Sequence, residues 1–361
     1  MRIAVLGVGL IGGSIGLAAR RRLGAEVSGF DADPATLAAA RDHGAIERAA
    51  ESVADACADA ELVFCAAPVG ALRALAAEAL AASGPGCVVS DVGSTKRELA
   101  AALADDERFI GGHPLAGAET AGVENARAEL FEGARWYLTP TERSGGMHYD
   151  RLQRAIADLG ARPQAIDADS HDRLMATVSH LPHVIANVLV SQAVEELSRD
   201  SEQLPEVGPS LRDTTRVAGA NPAVWTDIFA TNGEAVAAAA EAAAERLAEA
   251  ARLIRGGDRE GVSRWHSAAA GDRRALLERE LAGGPLQELR VRVPNRPGIV
   301  AELALALGRA GVNIEDMGLY PAQDMQSGAV SLWIAGAEEA QRAAELVREL
   351  GHGVSVISAG E

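Results

Sequence analysis

The sequence predicts a three-part chain: an α/β domain on a doubly wound parallel sheet, an all-α domain, and a small βαββαβ domain. Three changes of texture carry this reading. Up to residue 167 short apolar runs alternate with Ala-rich amphipathic stretches, the pattern of strands separated by helices. From 168 to 282 long helical patterns dominate and no convincing strand occurs. After Gly283-Gly284-Pro285, which reads as a linker, residues 286–361 return to strand-like alternation. A chain of 361 residues also exceeds what one hydrophobic core usually serves, so several domains are expected.

In chain order, the first domain's strands are expected at 3–6, 27–30, 62–66, 87–90, 109–111 and 135–138. The main helices of the second lie at 171–198 and 234–255. The third should run as strand 289–293, helix 299–310, a strand starting at Val312-Asn313-Ile314, strand 330–335, helix 338–350 and strand 354–357. That order is ferredoxin-like.

Composition narrows the function classes. A net charge of −17 disfavours nucleic acid and anionic membrane as partners. A small anionic substrate would then need locally placed cations. No run of 18 apolar residues occurs, so no membrane span is expected. Arg2 precedes an apolar stretch, but Gly7, Gly9, Gly12 and Gly13 break it, against a secretion signal. Cys57, Cys65 and Cys87 lack CxxC or metal-like spacing and read as free thiols in a reducing cytoplasm.

The first expected strand runs into Gly7-Val8-Gly9-Leu10-Ile11-Gly12-Gly13 and then a helix. This is GxGxxG in the strand-turn-helix context that gives it meaning. Gly7 permits the tight turn, Gly9 admits a pyrophosphate to the backbone, Gly12 lets helix and strand pack, and the helix N-terminus, with Leu10 and Ile11, faces the phosphates. Asp31 ends the second strand about 20 residues on, where a carboxylate accepts from the adenine-ribose hydroxyls. It would repel a 2′-phosphate, so NAD is expected over NADP. Arg20 to Arg22 and Arg41 lie too far along to be obvious phosphate partners. Ala66-Ala67-Pro68 follows another strand end, so Ala67 and Pro68 are expected to border the cofactor. The loop Asp91-Val92-Gly93-Ser94-Thr95-Lys96 follows a further one. Ser94 and Lys96 there are expected as substrate or nicotinamide contacts, while Ser94 or Thr95 as a helix N-cap is the plainer reading, and both can hold.

His113 stands in Gly112-His113-Pro114-Leu115-Ala116-Gly117-Ala118-Glu119, at the carboxyl end of a strand. A near-neutral pKa suits it to take a proton from a hydroxyl as hydride leaves the same carbon. A loop histidine bonded to a carbonyl is the alternative. In Ser179-His180-Leu181-Pro182-His183 the two histidines share a helix face. The sequence shows no third ligand at suitable spacing, so polar lining of a site is preferred to metal, against ordinary structural histidines. Arg216 is the natural carboxylate receptor through its bidentate fork, with Asp213 one turn before it. A surface ion pair is the default explanation of that couple.

Taken together, GVGLIGGSIG, DVGSTK, GGHPLAGAE, VSHLPH and RDTTRVAGANPAVWTDIF resemble, in order, the prephenate and arogenate dehydrogenases of tyrosine biosynthesis. The resemblance spans residues 1 to 280 or so. It implies a Rossmann-like N-terminal domain, and a helical domain that makes a homodimer, with the active site between the two. It makes His113 the partner of the substrate's ring hydroxyl, Ser94 a second hydrogen-bonding group beside it, and Arg216 the principal carboxylate receptor. His183, Asp213, Glu119 and Trp225 fall at active-site or supporting positions, with His180 a weaker candidate. Ala118 stands where some members have Thr, which removes one possible hydroxyl. The implied reaction passes hydride from the hydroxyl-bearing ring carbon to NAD as the ring carboxylate departs as CO2.

The C-terminal domain resembles the ACT domains that sense amino acids. Val293-Pro294-Asn295-Arg296-Pro297-Gly298 and Ala310-Gly311-Val312-Asn313-Ile314 carry that likeness, which implies an effector site at Asn295, Gly298, Asn313 and Ile314. Feedback by tyrosine is one reading and an ACT fold that only aids assembly is the other. Arogenate dehydrogenase is the nearest rival function. A β-hydroxyacid dehydrogenase would leave GGHP and SHLPH unexplained, and a silent NAD or amino-acid sensor would not need His113, Ser94 and Arg216 together.

Overall fold

Strands rich in Val, Ile and Leu with no polar alternation belong in a sheet covered on both faces, and β1 (Arg2–Leu6) is such a strand, buried from Ile3 to Leu6. It lies in the middle of a parallel sheet in the computed structural model of the chain, which describes residues 1–117, 120–197, 207–278, 286–294, 296, 299–321 and 327–357. After β1 come α1 (Leu10–Leu23), β2 (Glu26–Phe30), α2 (Pro34–Asp42), β3 (Arg48–Ala49), α3 (Val53–Cys57), β4 (Leu62–Cys65), α4 (Val69–Ala82) and β5 (Val88–Asp91). The strand order is β3-β2-β1-β4-β5. The order reverses beside β1, so the crevice outside the ends of β1 and β4 is the switch point where such sheets bind ligands.

Next follow α5 (Arg97–Ala102), β6 (Gly111–Pro114), β7 (Arg135–Thr139), α6 (Gly146–Asp158) and β8 (Arg162–Ala165). β6 is antiparallel to β7 and β8 parallel to it. Phe109 bridges to Val89, and the Ile110 N–H donates to the Val89 carbonyl at 3.0 Å. The second sheet therefore begins against the first sheet's β5 edge. The strand expected at 109–111 instead starts at Gly111, which puts His113 within it. β3 and β8 were not expected. The first is two residues long, and the second reads Arg-Pro-Gln-Ala with mostly exposed side chains, so neither has an apolar run to announce it.

Among the described residues 168–278 every regular element is helical. α7 (Ala168–Met175), a five-residue π-helical turn (Ala176–His180) and α8 (Leu181–Leu197) follow one another without a break. By length and composition alone, the stretch Ala168–Glu196 is apolar enough to cross a membrane, which counting apolar runs had not suggested. α9 (Pro209–Thr215), α10 (Pro222–Thr231), α11 (Gly233–Arg255) and α12 (Arg259–Glu278) follow.

The chain groups into two compact units, Met1–Leu247 and Ala248–Glu361. Within the second, β9 (Leu286–Pro294), α13 (Ile299–Arg309), β10 (Asp316–Pro321), β11 (Ser327–Ala335), α14 (Ala337–Glu349) and β12 (Gly353–Ile357) form an antiparallel sheet ordered β10-β11-β9-β12. Its core joins Leu289, Val291 and Val293 to Leu303, Leu307 and Val347. The second strand of this sheet starts at Asp316, so Val312-Asn313-Ile314 is the link before it rather than its beginning.

Candidate active site

The glycine turn closes as its residue types require. Gly7 has φ +91°, and a Cβ there would stand 2.5 Å from the Ala66 carbonyl oxygen. At Gly12 a Cβ would stand 1.9 Å from the Gly7 oxygen, whereas at Gly9 it would meet nothing within 4 Å. Two glycines thus bring backbone to backbone, and the third leaves open space at the N-terminus of α1. Gly9 caps that helix without any side-chain bond, so the positive end and free N–H groups suit an anion. Leu10 and Ile11 open the helix, half-buried against the core. The Val8 N–H donates to Asp31 Oδ2 at 2.9 Å, which brings the carboxylate at the end of β2 against the turn. Ala67 and Pro68 stand between β4 and α4, Pro68 capping the latter. These residues fit a dinucleotide.

His113 is buried in β6. Its Nδ1 lies 2.9 Å from His171 Nε2, and His171 Nδ1 lies 2.8 Å from Asp172 Oδ1. A carboxylate can only accept, so His171 donates from Nδ1. A neutral His171 then offers its Nε2 lone pair, and His113 donates to it from Nδ1. The lone pair of His113 is left on Nε2, the state a general base needs. Burial first, then His171, Lys96 and His180, hold His113 well below the ordinary histidine value, so it is neutral at physiological pH.

Asp172 ties this line to the loop carrying Ser94. Its Oδ1 and Oδ2 accept from the backbone N–H groups of Lys96 and Arg97 at 2.8 and 2.9 Å. The N-cap expected from Ser94 or Thr95 is therefore absent. α5 has Lys96 at its cap position with no local side-chain bond, and Asp172 supplies the acceptor from α7. Half-buried Ser94 is left without that task, and Thr95 Oγ1 instead meets Thr231 Oγ1 at 2.9 Å.

On the helical side, His183 stacks on Trp225 with ring centroids 3.5 Å apart, and His180 meets the same indole edge-on at 5.8 Å. The π-helical turn widens the backbone where His180 sits, a distortion common at functional sites. His180 Nδ1 lies 3.2 Å from Asn232 Nδ2, which also donates to the Asp172 carbonyl at 2.8 Å. Burial takes His180 down to about 4. His183 is lowered too, by burial and then by the Arg216 guanidinium, which places Arg216 within electrostatic reach of it. Asp213 is exposed on α9 and Arg216 follows that helix.

Comparison with known proteins agrees with this geometry. Residues 15–164 match the family described as "Prephenate dehydrogenase, nucleotide-binding domain", and residues 167–267 match "Prephenate dehydrogenase, dimerization domain". A cyclohexadienyl dehydrogenase of Zymomonas mobilis is 32% identical over 65% of this chain and 82% of its own length. This chain belongs to the prephenate dehydrogenase family. A prephenate dehydrogenase of Bacillus subtilis is 28% identical over 96% of this chain and 95% of its own. The crystal structure of prephenate dehydrogenase from A. aeolicus, in complex with hydroxyphenyl propionate and NAD+, superposes with TM-score 0.72 at 29% identity, covering 76% of this chain and 98% of that one.

Within this family member the structure brings His113, His180, His183 and Trp225 into one connected set of contacts through His171, Asp172 and Asn232. Glu119 lies outside the described residues. No cluster of three or more His, Cys, Asp or Glu suited to a metal occurs among the described residues. Sequence reading passed over His171 and Asp172 because their partners are remote, His113 lying 58 residues away and Lys96 lying 76. The adjacent His-Asp pair, at the start of the helix that leads into SHLPH, was the available signal.

Proposed function

We propose that this chain catalyses the NAD-dependent oxidative decarboxylation of prephenate to 4-hydroxyphenylpyruvate. The observation that carries the reading is the buried line His113–His171–Asp172, set beside a dinucleotide turn in a member of this family. NAD, when bound at Gly7, Gly9 and Gly12 with its adenine ribose on Asp31, accepts the hydride that leaves the hydroxyl-bearing ring carbon. His113 takes the hydroxyl proton on Nε2, and its Nδ1–H, held by His171 and through it by Asp172, steadies the imidazolium that forms. Ser94 hydrogen-bonds the same hydroxyl. Arg216 binds a substrate carboxylate, with His183, Trp225 and Asp213 shaping the pocket around it and His180 behind the indole, and Glu119 is assigned a supporting role by the family likeness alone. Loss of the ring carboxylate as CO2 leaves an aromatic product, which makes the reaction effectively irreversible. The test is NADH formation by the purified chain with prephenate, with arogenate, and with NADP in place of NAD. Rapid turnover of prephenate with NAD is expected, and no turnover of either substrate would leave a non-catalytic sensor as the better reading.

The cyclohexadienyl dehydrogenase relative favours one second reading, that arogenate is also accepted. Side-by-side kcat/KM values decide between them. We further propose a cytoplasmic homodimer. On α8 Ile185, Val188, Val190 and Val194 are exposed, apolar surface that a second copy would cover, in the region matching the dimerization domain. The strand and helix order of residues 286–357 fits a ferredoxin-like ACT domain, and feedback by tyrosine is the regulation we assign to it. Of its expected effector residues, Asn313 is exposed with its amide on Glu315 at 2.7 Å, and Ile314 packs on the core. Asn295 and Gly298 lie outside the described residues.

A further inference from the structure

Of the 34 basic residues in the sequence, Lys96 is the single lysine. A chain that uses arginine for every other positive charge has kept lysine where the side chain is buried and paired with an equally buried Asp91. Such pairs rarely repay their desolvation by stability alone, which directs attention to what this one holds. Asp91 ends β5. Its Oδ2 accepts the Lys96 ammonium and the Gly93 N–H, the latter at 2.8 Å, while Oδ1 accepts the Gly112 N–H at 3.1 Å. Gly93 precedes Ser94 and Gly112 precedes His113. One carboxylate thus fastens both segments that carry the expected substrate-hydroxyl contacts, and the ammonium is its counter-ion.

The space is cut for a lysine. A Cβ on Gly111 would stand 3.3 Å from Lys96 Cδ and one on Gly93 would stand 3.6 Å from Nζ. A planar guanidinium is wider and does not substitute for a compact ammonium in such a slot. The groups that bear on His113 are His171 and Asp172 from α7, His180 from the π-helical turn, and the Asp91–Lys96 pair. Tyr137 lies opposite on β7, with the Arg135 guanidinium on its hydroxyl at 3.3 Å.

We propose that Lys96 is a positioning residue of this site. Through Asp91 its ammonium fixes the backbone on which Ser94 and His113 stand, and its charge disfavours protonation of His113. The proposal rests on His113 acting as the base. Burial draws the ammonium's pKa down and the Asp91 carboxylate opposes this.

The test uses Lys96→Met, Lys96→Arg and the neutral pair Lys96→Met/Asp91→Asn, each checked for thermal unfolding and for NAD binding by fluorescence. For Lys96→Met and the neutral pair, kcat falls about 10²-fold, as misplacement near 1 Å can cause, with NAD affinity unchanged. In Lys96→Met the acid limb of kcat/KM also moves to higher pH, because a positive charge near His113 is lost, whereas in the neutral pair both charges go and the limb moves less. Lys96→Arg keeps a charge but does not restore kcat. A folded Lys96→Met or neutral pair with wild-type kcat and acid limb overturns the proposal, as does full activity in Lys96→Arg. Should the variants fail to fold, 15N-lysine labelling of the wild-type chain decides, since one lysine gives one side-chain resonance. An ammonium signal wherever the enzyme is active supports the proposal and a neutral amine there overturns it. A wild-type chain that turns over neither substrate would instead count against the functional reading itself.

Discussion

At the scale of single residues, the site depends on keeping histidines neutral in a buried place. His113→Asn removes the base, and kcat should fall about 10²–10⁴-fold, with NAD binding retained by fluorescence titration. Arg216→Ala should raise KM for the substrate far more than it lowers kcat, as loss of a carboxylate contact does. Stability should follow pH as well. His180 has a folded pKa of about 4 against about 6.5 when unfolded. Above the unfolded value both states are neutral; as pH falls below it only the unfolded chain takes up the proton. Stability is therefore lost progressively from about pH 6.5 toward pH 4, and His113 adds in the same direction. Thermal unfolding across that window checks the sign, since a Tm rising on acidification would contradict it. His113 could be proposed from the sequence as the base because it stands at a glycine-rich strand end, a local pattern. The tautomer could not be, because it is set by His171 and Asp172 across the fold.

At the scale of elements, the same logic separates what was read correctly from what was not. The glycine turn was legible because GxGxxG is a local geometry. Gly12 has no room for a methyl group and Gly9 has ample room. Gly12→Ala should accordingly unfold or strongly destabilise the chain. Gly9→Ala should keep its Tm while weakening NAD binding at least about tenfold, some 1.4 kcal/mol, because its methyl occupies the pyrophosphate's approach. The start of α5 was misread for the opposite reason. Ser94 and Thr95 are good caps by type, yet the acceptor is Asp172, remote in sequence. Asp172→Asn should cost about 1–3 kcal/mol in urea unfolding, more than an exposed cap usually does. β3 and β8 lacked apolar patterning, and the π-helical turn has no simple signature at all.

At the scale of the whole molecule, two surfaces remain to be tied to function. If the exposed apolar surface of α8 around Ile185 and Val188 is the seam between subunits, Val188→Asp should shift sedimentation from dimer toward monomer and lower activity with it. A variant that stays dimeric would move the seam elsewhere. Titration with tyrosine should inhibit and raise Tm together if the C-terminal sheet binds it, since a ligand shifts a state only by its differential affinity. The texture of the sequence anticipated where strands and helices alternate and where helices alone occur, because periodicity reports secondary structure over long stretches, but the compact units divide at Leu247 within the helical stretch. It did not report which faces meet across them. The central claim, a neutral His113 working beside bound NAD, is tested most directly by NADH formation from prephenate as a function of pH, in the wild type and in His113→Asn. The account predicts stoichiometric NADH and CO2, an acid limb below the ordinary histidine value, and a variant slowed about 10²–10⁴-fold. A wild-type acid limb at or above that ordinary value, or a variant as fast as the wild type, would contradict it.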